Sequence, residues 1–370
     1  MKYYIIAGEA SGDLHASNLM KQLKTFDSSA SFRYWGGDLM KAQGGELVKH
    51  YSELAFMGFT EVLMNLRTIF KNIDLCKKDI LENKPDALIL VDYPGFNLRI
   101  AEFAKEKGIK VFYYISPQVW AWKQSRVHKI KKIVDKMFVI LPFEKDFYKT
   151  FNYDVDFVGH PLLDAIADRK KVSLSDFAKQ NQLSEKPIIA LLPGSRKQEI
   201  AVMLPVMISV SKKFTDYQFV IAGAPSQQKE FYESFIKSTG IKIVYGSTYD
   251  LLEQSTAALV TSGTATLETA LFEVPEVVCY KGGAISFMIA KQLVKVKFIS
   301  LVNLIMDKEV VKELVQNDFT ETNLENELKK ILDASVHNKM KADFAELKQK
   351  LGSSGASRKT AELIYNLIRK

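Results

Sequence analysis

The sequence predicts an α/β protein built of two Rossmann-like halves, each a parallel sheet flanked by helices, facing one another across a cleft. Three observations carry that expectation. The runs YYIIA (3–7), ALILVD (87–92), KVFYYIS (110–116), KMFVILP (136–142) and DVDFVG (154–159) are nearly continuous in apolar residues, so they describe strands buried on both faces. Helical patterns between them describe the crossovers of a parallel sheet. A polar, charged and weakly patterned stretch, DRKKVSLSDFAKQNQLSEKP (168–187), then interrupts the scheme. Beyond it the scheme restarts with IIALLPGSRKQEI and continues through YQFVIAG (217–223), IKIVYG (241–246), AALVTS (257–262) and EVVCY (276–280). The interruption divides the chain into residues 1–167 and 168–355. A last helix, about 356–370, carries Leu363, Ile364, Leu367 and Ile368 at helical spacing and is expected to pack back on one half.

A chain of 370 residues, 47% hydrophobic and 25% charged, is long enough for two cores. The opening MKYYIIAGEASGD has too brief an apolar run for a signal-peptide core, and no run reaches the roughly 20 residues of a spanning helix. Cys76 and Cys279 lie in no CxxC or Cys/His cluster, which argues against a disulfide framework and for the reducing cytosol. The net charge of +8 attracts polyanions without choosing among them. Its densest patch, KQSRVHKIKKIVDK (123–136), would set Lys129, Lys132 and Lys136 on one helical face, with Val127, Ile130, Ile133 and Val134 toward a core. It reads as a solvated face, and no nucleic-acid partner is expected, because no nucleic-acid module accompanies it.

The stretch AGEASGDLH (7–15) reads as strand, tight loop and helix, with Gly8 and Gly12 expected to adopt torsions a β-carbon would forbid. Such loops lie at the carboxyl edge of a parallel sheet, where open α/β folds bind ligands. The spacing departs from GxGxxG, so no nicotinamide cofactor is implied.

In the second half, VTSGTATLETALFEVP (260–275) brings a strand to Ser262 and a ligand-accessible backbone to Gly263. A helix start at Thr264, Ala265 and Thr266 then offers free amides to a phosphate. Glu268 is placed to accept hydrogen bonds from ribose hydroxyls, and Pro275 follows seven residues later. LPGSR (192–196) adds Gly194, the Ser195 hydroxyl and the permanent charge of Arg196, a suitable diphosphate partner. Asp154-Val155-Asp156 spells a DxD metal motif, but it begins a strand and so falls at the far edge; no metal is expected.

The arrangement of Gly263, Thr266, Glu268 and Pro275 resembles the nucleotide-sugar signature of GT-B glycosyltransferases. With AGEASGDLH, FMGFTEVL, KPDALILVDYPGFN, YYISPQVWAWKQSRVHKIKK, LPFEKDFY, VGHPL, LLPGSRKQEI and SGTATLETAL in view, the chain closely resembles the lipid A disaccharide synthase family. The resemblance covers most of residues 4 to 280. It implies a GT-B fold, no cofactor, and inverting transfer from UDP-2,3-diacylglucosamine to 2,3-diacylglucosamine 1-phosphate. The products would be the β-1,6-linked disaccharide of lipid A and UDP. It also implies that the chain can form a homodimer, including by exchange of C-terminal elements. Two departures stand out: many relatives carry Asp where this chain has Gly95, and the Pro usual before Asn303 is here Val302. They weaken the transfer of a catalytic role to position 95 and of a nucleotide role to Asn303. Phe298 to Ile305 would line the donor side.

An inverting transfer needs a base on the acceptor hydroxyl and charge stabilisation for the departing diphosphate. Asp92 is the first choice of base, since it ends the strand ALILV at the cleft edge. Glu9, Asp13 and His15 in the opening loop, beside Ser11 and Gly12, are alternatives for holding or deprotonating the acceptor. Asp86 lies in the KPD stretch but begins its strand, so geometry sets it at the wrong edge. Arg196 and the amides from Gly263 to Thr266 would take the leaving group's charge.

The stretch FTEVLMNLRTIFKNIDLCKK (59–78) sets Phe59, Val62, Leu63, Leu66, Ile69 and Phe70 at helical spacing beside Arg67, Lys71, Lys77 and Lys78. A buried amphipathic helix and a face for an anionic membrane are both compatible with it. If exposed, each side chain could gain roughly 1.5 to 3 kcal/mol on full burial and each cation about 1 kcal/mol, enough for peripheral attachment to the inner face of the inner membrane. Rival readings are a UDP-sugar epimerase on the same fold, a glycosyltransferase with a soluble acceptor, and a basic non-enzymatic protein binding RNA or membrane through residues 123–136.

Overall fold

The computed structural model describes residues 1–54, 66–237, 239–283 and 296–369. The chain divides into two compact units, Met1–Ala165 with Leu351–Lys370, and Ile166–Lys350.

The first unit holds a seven-stranded sheet of β1 (Lys2–Ala7), β2 (Ser31–Gly36), β3 (Glu46–His50), β4 (Ala87–Val91), β5 (Lys110–Tyr114), β6 (Lys136–Val139) and β7 (Asp156–Phe157), in the order β3-β2-β1-β4-β5-β6-β7. Every pairing is parallel. The central strands are apolar throughout because helices cover both faces: all five residues of β4 and five of the six in β1 are buried. Two strands, SFRYWG and ELVKH, lack the apolar runs that mark the others and mix charges into their pattern. Tertiary partners explain the charges. Arg33 grips Asp79 through Nε at 2.7 Å and a terminal nitrogen at 2.6 Å, and Tyr4 donates to the same carboxylate at 2.7 Å.

The second unit repeats the design with β8 (Ile188–Leu192), β9 (Gln218–Gly223), β10 (Lys242–Tyr245), β11 (Ser255–Thr261), β12 (Glu276–Tyr280) and β13 (Lys312–Val315), in the order β10-β9-β8-β11-β12-β13. All its pairings are parallel too. The strand KELV, likewise charged, carries no such run either.

The last helix, Ala356–Arg369, packs against Ala10–Phe26 in the first unit. The Asp164 carboxylate caps its start, accepting from the amides of Gly355 and, at 2.9 Å, Ser357. Lys110 Nζ donates to the carbonyl of Leu367 at 2.6 Å.

The basic patch is built differently from its periodicity. The helix runs only over Val127–Ile133, and Lys136 opens β6. Lys136 pairs with Asp154 at 2.8 Å and Asp156 at 3.3 Å, and Lys129 with Glu102 at 2.8 Å. Both aspartates of the DxD letters are therefore spent on a structural lysine. Cys76 and Cys279 are free and buried. Among the described residues no helix is long and apolar enough to cross a membrane.

Candidate active site

In the first sheet the strand order reverses between β1 and β4, so the loops leaving their carboxyl ends turn to opposite sides and leave room for a ligand. The two loops meet. A β-carbon on Gly8 would lie 2.3 Å from the ring of Tyr93. Neither Gly8 nor Gly12 adopts a left-handed conformation, contrary to expectation. Space is what they supply: Gly8 admits the Tyr93 ring, and Gly12 lets its helix close on β1, where a β-carbon would sit 3.3 Å from that of Ala7.

Asp92 lies just beyond β4, with φ 47°, and Tyr93 follows with φ 47°. Two consecutive side-chain-bearing residues in this region store roughly 1–3 kcal/mol each. Hydrogen bonds hold them there. The carbonyl of Asp92 accepts from the Tyr113 hydroxyl at 2.5 Å and Asn97 Nδ2 at 2.7 Å, while its amide donates to the Tyr114 carbonyl at 3.1 Å. Burial, and then the charge of Glu9, push the Asp92 carboxyl up to about 7, against 3.8 for the free side chain. Glu9 stands partly exposed at the start of Ala10–Phe26, and Ser11 is exposed beside it.

The other acidic and basic candidates are engaged elsewhere. Asp13 accepts from the amides of Gly37 at 2.7 Å, Leu39 at 3.0 Å and Met40 at 3.1 Å, so its carboxylate anchors the helix Asp38–Ala42 instead of facing an acceptor. His15 is 6% exposed. Burial lowers its pKa to about 4, the charge of Asp164 only partly opposing, so it is neutral and sequestered rather than an exposed base. Asp86 receives the amide of Lys2 at 2.7 Å at the amino edge, the edge its place in the strand implied. A β-carbon on Gly95 would meet nothing within 4 Å among the described residues.

Among the buried acids given no role from the sequence, Glu144 lies nearest a segment that was singled out there. Glu144, 1% exposed, accepts from the amides of Ile140 at 3.2 Å and Leu141 at 2.9 Å and from the Ser116 hydroxyl. It ties the SPQVWAW segment to the end of β6. Burial pushes its pKa up to about 7. The only signal for it is the letters LPFE, whose Pro and Glu suit a helix start.

The helix Leu66–Asn83 carries what can be placed of the apolar face. Ile69 packs partly buried against the core, Phe70 is 52% exposed, and Leu75 and Leu81 are each 45% exposed. Arg67, Lys71 and Lys78 are exposed alongside. Phe59, Val62, Leu63 and the side chain of Leu66 lie outside the described residues.

In the second sheet the order reverses between β8 and β11. Gly194 has φ 109°, and a β-carbon there would lie 2.8 Å from Glu199 Oε2 and 3.6 Å from Thr261, so the loops after these two strands adjoin. The carbonyl of Ser195 accepts from Ser226 at 3.0 Å and Gln227 at 2.9 Å. Arg196 stands at the head of Lys197–Ser211, its side chain 59% exposed and 3.0 Å from Glu199.

Gly263 is extended and heads the helix Thr264–Leu271; among the described residues a β-carbon placed on it would meet nothing within 4 Å. The amide and hydroxyl of Thr266 both turn back to the Gly263 carbonyl, at 3.3 and 2.9 Å. Thr266 therefore closes the turn, while the first-turn amides of Thr264 and Ala265 have no intrahelical acceptor. Ser262 Oγ donates to the Ile299 carbonyl at 3.3 Å.

Asn303 needs correction as a direct nucleotide contact. Its Oδ1 accepts from Val310 at 2.8 Å and Val311 at 3.0 Å, and its Nδ2 donates to Val311 and to Glu313, both at 2.9 Å. That exhausts its capacity. Glu313 in turn receives the amides of Ile299 and Ser300, so Asn303 braces the segment beside Ser262. Glu268 accepts from the Tyr249 hydroxyl at 2.8 Å, and burial raises its pKa.

Among the described residues no group of three or more His, Cys, Asp or Glu side chains is arranged to hold a metal. A hollow of about 350 Å³, lined by Gln182, Lys186, Gln218 and Lys242 among others, opens at the amino edge of the second sheet, away from these loops.

A family model described as lipid-A-disaccharide synthetase matches residues 3–366. The chain is 39% identical to the lipid-A-disaccharide synthase of Geobacter metallireducens over 375 residues, covering 99% of this chain and 97% of that protein. Among solved structures it is similar to S. aureus MnaA with UDP, at TM-score 0.71 and 12% identity, over 100% of this chain and 97% of that one. The glycotransferase of kitacinnamycin is similar at TM-score 0.66 and 12% identity, over 99% and 98%. At such identities the structures speak for the fold alone: two Rossmann-like units of the GT-B kind.

Proposed function

The chain belongs to the lipid-A-disaccharide synthase family and is a glycosyltransferase, and from that premise we propose how its residues perform the transfer. The donor is UDP-2,3-diacylglucosamine and the acceptor 2,3-diacylglucosamine 1-phosphate. The acceptor hydroxyl attacks the donor's anomeric carbon on the face opposite the diphosphate, forming the β-1,6 linkage with inversion and releasing UDP.

The observation that carries this reading is Asp92. Its carboxyl sits at the strand-order reversal of the first sheet with a pKa of about 7, so near neutral pH a large share is ionised and able to take the acceptor's proton. Burial first, and the charge of Glu9 second, keep that pKa high. The amides of Thr264 and Ala265 and the guanidinium of Arg196 receive the departing diphosphate. A preorganised donor of this kind is worth roughly 2.7 to 4 kcal/mol of barrier, by analogy with oxyanion-hole deletions. Incubating the pure protein with both lipid substrates should release UDP, with or without a chelator, and neither lipid alone should suffice. Conversion of the UDP-sugar without acceptor would replace this reading with epimerisation.

Lipid substrates require attachment to a bilayer. Phe70, Leu75 and Leu81 beside Arg67, Lys71 and Lys78 support peripheral binding to the anionic inner face of the inner membrane. Phe70→Ser with Leu75→Ser should release the protein from anionic vesicles while its melting temperature stays put. Undiminished vesicle binding would move the membrane contact elsewhere.

A further inference from the structure

Glu268 is held by a side chain that belongs to none of the motifs in the sequence. Tyr249, in the short helix Thr248–Glu253, donates its hydroxyl to Glu268 Oε1 at 2.8 Å. A glutamate has three side-chain torsions, and one left unsupported on a helix must give up rotamer freedom when a ligand arrives. Here that freedom is already restricted.

The support is itself supported. The Tyr249 ring packs on Phe272, with centroids 5.3 Å apart and planes at 46°, and the guanidinium of Arg169 lies 5.1 Å from the Phe272 ring centroid. Arg169 is tied to Asp250, the residue after Tyr249, at 2.9 Å, and to Glu253. The four side chains of Tyr249, Phe272, Arg169 and Asp250 thus close a ring that fixes where the phenol points. The phenol stays a donor, since burial first and the neighbouring carboxylate second drive its pKa far above the ordinary range.

We propose that Tyr249 is a positioning residue, aiming the Glu268 carboxylate at the vicinal hydroxyls of the nucleotide's ribose. This rests on the reading of the second unit's edge as the nucleotide site. An ionised carboxylate offers about four acceptor positions. Tyr249 uses one, and among the described residues Glu268 Oε2 has no hydrogen-bond partner, which leaves it for a diol. Helix and aromatic packing place the acid close to the Gly263 turn, at the fifth residue of the helix that turn begins.

The test is a binding cycle on the full chain by calorimetry, with UDP and 2′,3′-dideoxy-UDP as probes and Tyr249→Phe and Glu268→Gln as variants. Tyr249→Phe keeps the ring that packs on Phe272. It should weaken UDP roughly fivefold to tenfold, because the freed Glu268 side chain must then be immobilised on binding, and leave dideoxy-UDP within about twofold. Glu268→Gln should weaken UDP at least as much and spare dideoxy-UDP equally. If Tyr249→Phe weakens both probes alike, the tyrosine only packs and the proposal falls. If Glu268→Gln weakens UDP while Tyr249→Phe leaves it unchanged or tighter, the positioning role is wrong and the nucleotide site stands. If neither variant affects UDP, the ribose reading of Glu268 fails and takes the proposal with it.

Discussion

The two units share one strand order, and at the carboxyl edge of each sheet the loops after the first and fourth strands adjoin. What fills the two places is opposite in kind. In the first unit the meeting point is packed and acidic: the Tyr93 ring fills the space over Gly8, two residues are held left-handed, and burial, then the charge of Glu9, raises the pKa of Asp92. In the second it is open: among the described residues nothing lies within 4 Å of a β-carbon on Gly263, the first-turn amides of Thr264 and Ala265 have no intrahelical acceptor, and Arg196 is mostly exposed. On the function proposed above, one repeated strand order would carry a proton-accepting edge in one unit and an anion-accepting edge in the other, which is why the fold by itself does not name the reaction.

The largest test of that contrast is Asp92→Asn. Turnover should fall by about 10³ or more while UDP affinity is unchanged, measured by product formation and calorimetry. Near-normal turnover would remove Asp92 as the base. Its pH behaviour follows with a definite sign. The folded pKa of about 7 lies above the free value of 3.8, so activity should rise as pH increases through 7. Stability runs the other way: the protonated form suits the fold, and the contribution is lost as pH rises from about 4 through 7. Asp92→Asn should therefore melt higher than the parent at pH 8, with a smaller gap at pH 5.

Next in size, Arg196→Ala should lower both UDP affinity and kcat/KM, by roughly 10- to 100-fold, because its target is charged in ground and transition states alike. Unchanged UDP affinity would break the anion-accepting half of the comparison. Tyr113→Phe removes one of the hydrogen bonds that hold the Asp92 carbonyl. It should cost about tenfold in kcat and nothing in UDP binding. The smallest expected effects come from a matched pair of glycine changes. Gly8→Ala should destabilise the fold by about 1–3 kcal/mol, since its methyl enters the Tyr93 ring. Gly263→Ala should leave stability within about 0.5 kcal/mol, since among the described residues nothing lies within 4 Å of its methyl, yet weaken UDP if the proposed nucleotide site is right. Equal effects on stability would show that the two edges are not filled differently.

Much of this was legible in the letters. Runs such as ALILV and IIALL announce strands covered on both faces, and the restart at IIALLPGSR announces a second sheet. SGTAT and PGSR mark their loops because glycine and helix-start chemistry are local. Asp92 could be picked as a strand-ending acid. The charged strands around Arg33 and Glu46 could not be read, because the partners that neutralise them lie far along the chain. The same limit explains Asp13, His15 and Asn303. Each is the right residue type in a suggestive stretch, and each is occupied or enclosed by segments remote from that stretch or folded back upon it.

Sequence alone determined the class of fold, the repetition of its sheet, the family and the loops that carry chemistry, since those depend on periodicity and on short-range backbone rules. Only the tertiary structure decided which side chains in those loops remain free to act. Hydrogen-bond capacity and burial are set by whatever packs nearby: three amides consume Asp13, an enclosing core neutralises His15, and Asp92 gains its raised pKa from burial and from Glu9, a neighbour more than eighty residues away in sequence.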